Sequence, residues 1–251
     1  MKLINTLCAA ALLAAGSMAS ASTLVVVGDT NIANATGIGD ANENVGNQTF
    51  FSNLLGAGTN VAIIGDSPAT TGASALDGFF DSLGGVTSTL YSSGTAITGA
   101  LLDSVDLFVQ IYATDAFAAS EAAALESYLD GGGTALLAGE FTDFNTANIN
   151  INGLLGQIGS SLSIDVDTID TGYNTTTNIS ADPLMAGVSS FTYAATSRVS
   201  GGTGLAGTVT GNQTFMAVER GVVVAPVPLP ASAVLLLAGL AGLGAMRRKR
   251  G

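Results

Sequence analysis

Histidine and tryptophan are absent from this chain, cysteine occurs once, at Cys8, and Lys and Arg together number 7 against 19 Asp and Glu. Each absence excludes a chemistry. Without His there is no Ser-His-Asp or Cys-His nucleophile, no His-ligated zinc and no imidazole proton shuttle. Beyond Cys8 the chain has no disulfide, no thiol nucleophile and no thiolate metal site. The few cations are also unevenly placed. Lys2 and the terminal run Arg247, Arg248, Lys249 and Arg250 leave only Arg198 and Arg220 between them. All 19 acids lie in that central stretch, so its formal charge is −17, against −12 for the whole chain. Such a field repels nucleic acid and anionic lipid headgroups and favours divalent cations or basic polymers as partners.

The two ends carry an address. Lys2, an apolar run from Leu7 to Ala15, and the small-residue ending Ala19-Ser20-Ala21 have the order of a secretory signal peptide. Cleavage by signal peptidase is expected after Ala21, with Ala19 and Ala21 as the recognised small residues. Leu7 precedes Cys8 where a lipidated Cys needs a small residue, so no lipoprotein is expected. At the other end no charge occurs from Leu229 to Met246. At ~1.5 Å per helical residue that stretch covers roughly 27 Å, just enough to cross a bilayer core. The basic cluster Arg247, Arg248, Lys249 and Arg250 then acts as a membrane stop on the cytoplasmic side, which places residues 22–226 outside the cytoplasm. Both ends agree on this orientation.

The string VPLPASAVLLLAGLAGLGAMRRKR resembles the VPLPA variant of the PEP-CTERM sorting tails: a short Pro-containing motif, one apolar helix and an Arg-rich terminus. The resemblance implies export in a Gram-negative bacterium, transient inner-membrane anchoring, and processing by an exosortase before the protein reaches the cell surface or the extracellular matrix. It assigns recognition to Val227, Pro228, Leu229, Pro230 and Ala231. Physically, the two prolines hold an extended backbone that a helix cannot absorb.

Between the ends, short β-branched or apolar runs alternate with helical patterns. Strands are expected at 24–27, 61–64, 86–91, 107–111, 135–138, 162–166 and 214–218, and helices at 48–55, 73–83, 118–129 and 151–158. Near-continuous apolar strands separated by helices indicate an α/β fold, a doubly wound, mostly parallel sheet covered on both faces. The polar stretches 168–180 and 201–211 read as loops. The domain organisation expected is a signal peptide over 1–21, one exported α/β domain over 22–220, a linker over 221–227 and the sorting tail over 228–251.

The stretch SEAAALESYLDGGGTALLAGE is similar to a segment of class I glutamine-amidotransferase-like, flavodoxin-like domains, and Asp182-Pro183-Leu184-Met185-Ala186-Gly187-Val188 to a later piece of them. In catalytic members of that group a Cys on a sharp turn after a strand works with a His and an acid. This domain has neither Cys nor His, so the resemblance implies the fold without its glutaminase chemistry. With no Lys left after processing of both ends, a Ser-Lys substitute is excluded as well.

Three strands end in apolar residues followed by Gly and an acid: Val27-Gly28-Asp29, Ile64-Gly65-Asp66 and Ala138-Gly139-Glu140. Ligands of open parallel sheets bind beyond the carboxyl ends of the strands. If those strands are neighbours, Asp29, Asp66 and Glu140 converge into an oxygen-only site suited to Ca²⁺ or Mg²⁺. The competing reading makes Asp29 and Asp66 caps of the following turns and Glu140 solvated, with no cofactor. The function expected is a non-catalytic envelope or matrix protein sorted by its tail, with a polysaccharide matrix as a further partner. The alternative is an exported, carboxylate-based, metal-dependent hydrolase or carbohydrate-binding domain.

Overall fold

The computed structural model describes residues 22–221, so the signal peptide, the sorting motif, the apolar span and the membrane stop lie outside the described residues. Among the described residues no helix is long and apolar enough to cross a membrane.

The domain is α/β. Strand β1 (Thr23–Val27) leads through the short helix α1 (Asn31–Asn34) to α2 (Val45–Leu55), β2 (Asn60–Gly65), α3 (Thr70–Ser82), β3 (Thr87–Tyr91), α4 (Gly99–Leu102), β4 (Leu107–Ile111), α5 (Ala119–Asp130), β5 (Thr134–Ala138) and α6 (Asn145–Gln157). The remainder is β: β6 (Ser163–Asp170), β7 (Asn174–Thr176), β8 (Phe191–Tyr193), β9 (Thr196–Ser200), β10 (Thr203–Gly207) and β11 (Thr214–Arg220).

Seven strands form the main sheet in the order β10-β11-β1-β5-β4-β2-β3. The five strands from β3 to β1 run parallel, and β11 and β10 add antiparallel strands beyond β1. The parallel part is compatible with a flavodoxin-like order, with the first strand of the chain taking the outermost parallel place beside β5. The inner parallel strands β2, β4 and β5, together with β1, are buried on both faces, which explains why β1, β4 and β5 read as unbroken apolar runs, whereas the edge strand β3 is largely exposed.

One apolar layer contains Phe50, Phe51, Leu54, Leu76 and Phe80 from α2 and α3. The opposite layer contains Leu125, Ile151, Leu154 and Leu155 from α5 and α6. Helix α2 starts where Asn44, in an extended conformation, accepts hydrogen bonds from the Gly46 and Asn47 N–H groups. Helix α5 starts where the Glu121 carboxylate accepts from the Ala118 N–H, 2.8 Å away, and it ends at Gly131.

Two stretches expected as loops are partly strands. Residues 168–180 contain the end of β6 and all of β7, and residues 201–211 contain β10. Their Thr, Asn and Gly content hides short strands, paired β6 with β9, β7 with β8 and β10 with β11. Strand β6, expected over 162–166 and longer in fact, leaves the main sheet and pairs antiparallel with β9.

Strand β9 crosses the end of β1 so closely that a Cβ on Gly28 would lie 2.1 Å from the Ser197 carbonyl oxygen. That clash is with backbone, so Gly28→Ala is expected to destabilise the domain by about 3 kcal/mol. Chemical denaturation monitored by circular dichroism reads the shift in midpoint.

Candidate functional site

The carboxyl edge of the parallel strands follows from the register. Val27 lies beside Ala138, Ala138 beside Ile111, and Ile111 beside Gly65. The Gly-acid pairs that follow β1 and β5 therefore emerge side by side, whereas Asp66 follows β2, with β4 between it and β5. The structure brings Asp29 and Glu140 together and keeps Asp66 apart. The expected three-carboxylate convergence does not form, because β2 is not a neighbour of β1 or β5. Among the described residues, no group of three or more His, Cys, Asp and Glu is placed to hold a metal ion.

Asp66 serves as a local clamp. Its Oδ1 accepts from the Gly94 N–H at 3.1 Å, and its Oδ2 accepts from the N–H and hydroxyl of Thr114, both at 3.0 Å. This ties together the segments that follow β2, β3 and β4.

Asp29 is fully buried. Its Oδ1 accepts from the N–H and side-chain amide of Asn31, at 2.8 and 2.9 Å, and its Oδ2 accepts from the Ala194 N–H at 2.6 Å. It thus starts α1 and fastens the segment between β8 and β9 to the sheet. Glu140 is 5% exposed. It accepts from the Phe141 N–H at 3.1 Å and from the Thr30 hydroxyl. The expected solvation of Glu140 does not occur, because β9 and α6 close over the strand end.

The backbone of Glu140 is held by Asn148, a fully buried carboxamide on α6. Its Oδ1 accepts from the Glu140 N–H at 2.7 Å, and its Nδ2 donates to the carbonyl oxygens of Glu140 at 2.6 Å and Asp165 at 3.0 Å. The Ser197 hydroxyl adds a bond to the Glu140 carbonyl oxygen at 3.0 Å. Gly139 is required here, since a Cβ would lie 2.3 Å from Asn148 Oδ1. Sequence reasoning missed Asn148, although the signal is present: it precedes Ile151 by three residues and Leu155 by seven, on the buried stripe of α6.

Among the described residues no cation faces the two carboxyls. Arg220 forms a two-pronged ion pair with Asp182 at 2.9 and 2.8 Å, and Arg198 lies 3.7 Å from Asp165. Burial, and then the nearby Asp29 charge, push the Glu140 carboxyl up to about 8. Burial raises Asp29 as well, to about 6, against the pull of its N–H donors. Two adjoining buried carboxyls resist ionising together, so each raises the other's hold on a proton.

A cavity of about 290 Å³ opens beside Glu140, walled among others by Thr30, Asn34, Gly72, Phe141 and Phe144. Phe144 stacks edge-on against Phe141 and Tyr112, with ring centres 5.3 and 6.1 Å apart. Tyr112, the first residue after β4, adopts a left-handed φ of 59°. Its N–H donates to the Ala138 carbonyl oxygen, and its own carbonyl accepts from the Gln110 amide. The sharp turn at this strand end thus carries a phenol. Chemically, the region holds a buried carboxyl whose proton affinity is raised, at the edge of a small crevice, in a chain without imidazole.

Two further acids have local partners. Asp106 accepts from the Thr59 and Asn60 N–H groups at 2.7 and 3.0 Å. Asp170 accepts from the Tyr193 hydroxyl at 2.6 Å. No family model, no curated protein and no solved structure matches this chain.

Proposed function

We propose that this chain is an exported protein delivered by its tail to the cell envelope or extracellular matrix, with a non-catalytic, amidotransferase-like α/β domain as its exposed part. Signal peptidase cleaves after Ala21, the apolar span over 229–246 anchors the chain transiently in the inner membrane, and an exosortase processes it at Val227, Pro228, Leu229, Pro230 and Ala231. The observation that carries the reading is the order of that tail: a Pro-containing motif, an uncharged span and four cations.

The strand ends support the non-catalytic half. Asp29 and Asp66, at two of the strand ends, are engaged by backbone groups of the domain itself, so these carboxylates serve structural bonds. Deleting residues 227–251 is expected to move the domain from the membrane fraction to the soluble exported fraction. Loss of the exosortase is expected to retain the full-length anchored species. Fractionation with immunodetection checks both, and a tail-deleted chain that stays membrane-bound contradicts the proposal.

One observation favours the second reading, an exported hydrolase or carbohydrate-binding domain: the Glu140 carboxyl, its proton affinity raised by burial, borders a cavity with an aromatic wall. Asp29 does not suit the Ca²⁺ or Mg²⁺ of that reading, since it is fully buried with both oxygens accepting from N–H groups, and of the pair Glu140 alone lines the cavity. Calorimetric titration of the full chain with Ca²⁺, wild type against Glu140→Gln, separates the readings. Heat that the variant abolishes favours the second, and no heat in either protein removes its cation.

A further inference from the structure

Strand β4 reads Leu-Phe-Val-Gln-Ile, and Gln110 is its polar exception, only 2% exposed. Side chains alternate along a strand, so Gln110 shares the face of Phe108, whose apolar layer also contains Leu125 of α5. A buried carboxamide is stable where both of its ends find partners. The Nε2 end does: it donates to the Tyr112 carbonyl oxygen at 3.2 Å, which also fixes the way the amide points. Among the described residues no donor meets the Oε1 end, and that oxygen is not sealed in, because Gln110 lines a crevice of about 120 Å³.

This crevice shares no lining residue with the cavity beside Glu140. Its charged lining is of one sign: Asp66, Asp115 and Glu121, with no Lys or Arg. Asp66 already holds the Gly94 and Thr114 donors. Glu121 accepts from the Ile97 N–H at 3.0 Å and the Ala118 N–H at 2.8 Å, and so covers the positive start of α5. Asp115 is exposed. Both arginines of the domain are engaged elsewhere, with Asp182 and beside Asp165. Ile64 and Phe117 give the crevice apolar walls.

These features select the ligand. An anion is repelled by the three acids. Among the described residues no three carboxylates are close enough to hold a metal ion, which removes chelation of a bare divalent cation. A primary ammonium has three donors and no acceptor, and it carries its charge on a slim apolar stem. We infer that this crevice binds a primary alkylammonium group. The head bonds to the Gln110 Oε1 and the Asp115 carboxylate. Asp66 and Glu121 attract it by charge while keeping their own N–H donors, and the stem lies along Ile64 and Phe117. The inference goes beyond the export reading and does not rest on the tail.

The test is a titration of the isotopically labelled full chain, followed by two-dimensional amide NMR. The probe n-butylammonium chloride is expected to shift the Gln110 side-chain amide and the Gly94 and Thr114 amides saturably, with a dissociation constant of about a millimolar. The uncharged n-butanol is expected to bind at least about tenfold more weakly at constant ionic strength. Asp115→Asn, at an exposed position, is expected to weaken the ammonium about threefold. Gln110→Met keeps the length, removes the acceptor and is expected to weaken it about tenfold. Should that variant fold poorly, Asp115→Lys tethers a competing ammonium to the crevice and is expected to abolish the response. Titrations with Nα-acetyl-lysine amide and with putrescine separate the two sources of the group: tighter binding of the first points to a lysine side chain of a polypeptide, and of the second to a free amine. An equal response to n-butanol, saturation by Ca²⁺ at lower concentration than by n-butylammonium, or unchanged affinity in Asp115→Asn and Asp115→Lys overturns the proposal.

Discussion

Heating the protein at about pH 9 is expected to unfold it roughly 10 °C below its melting temperature at about pH 6, because the native state keeps a proton that the unfolded chain has already lost. The sign follows from the direction of the shifts. Burial and mutual repulsion raise the carboxyls of Glu140 and Asp29 in the folded state. Their stabilising contribution is complete below the ordinary carboxyl range and is lost as pH rises through the folded values, about 6 for Asp29 and about 8 for Glu140. One proton held over about two units or more corresponds to about 3 kcal/mol.

The composition makes the experiment clean. The chain has no His, and its only Cys lies ahead of the domain, so few other side chains titrate in this window. Glu140→Gln imitates the protonated acid and is expected to flatten the profile, with a melting temperature at about pH 9 above that of the wild type. Differential scanning calorimetry across the range reads both effects. A wild-type melting temperature that rises with pH contradicts the arrangement of the pair.

The second large effect concerns the carboxamide that holds the site. Asn148→Ala removes the acceptor of the Glu140 N–H and the donor to two carbonyl oxygens, all in a fully buried place. Leaving a buried backbone N–H unsatisfied costs about 1–3 kcal/mol, and the cavity left by the side chain adds to it. A total loss of about 3–4 kcal/mol is expected from denaturation midpoints. Asn148→Asp keeps the size but faces carbonyl oxygens with a third carboxylate, so its loss is expected to grow with pH. A loss below about half a kcal/mol for Asn148→Ala would mean that α6 covers the strand end without fastening it.

The parts of this fold that the sequence discloses are those in which each residue's role is local. Val25, Val26 and Val27, or Leu136, Leu137 and Ala138, are buried whichever way they face, so their strands stand out as unbroken apolar runs. Helix α5 announces both ends, through Glu121 behind its start and Gly131 at its close. Strands β7 and β8 are short and pair only with each other, as in Asn174 beside Tyr193, and β10 pairs with the following β11 in an irregular register. Their Thr and Gly residues therefore read as loop.

The candidate site divides along the same line. Gly-acid endings can be found by inspection, and Asp29 and Glu140 do meet. Whether Asp66 joins them depends on strand order, which local pattern does not encode: inserting β4 between β2 and β5 was enough to separate it. The buried amide on α6 that positions Glu140 lies on an apolar stripe whose period was legible, but its partners come from β5 and β6.

Mass spectrometry of the intact product recovered from the cell surface or medium tests the export and sorting proposal most directly. The account predicts a polypeptide that begins at Ser22 and ends within or just before the stretch from Val227 to Ala231, and a longer species still carrying Arg247, Arg248, Lys249 and Arg250 when the exosortase is absent. A product that keeps residues 1–21 and stays in the cytosol would contradict it.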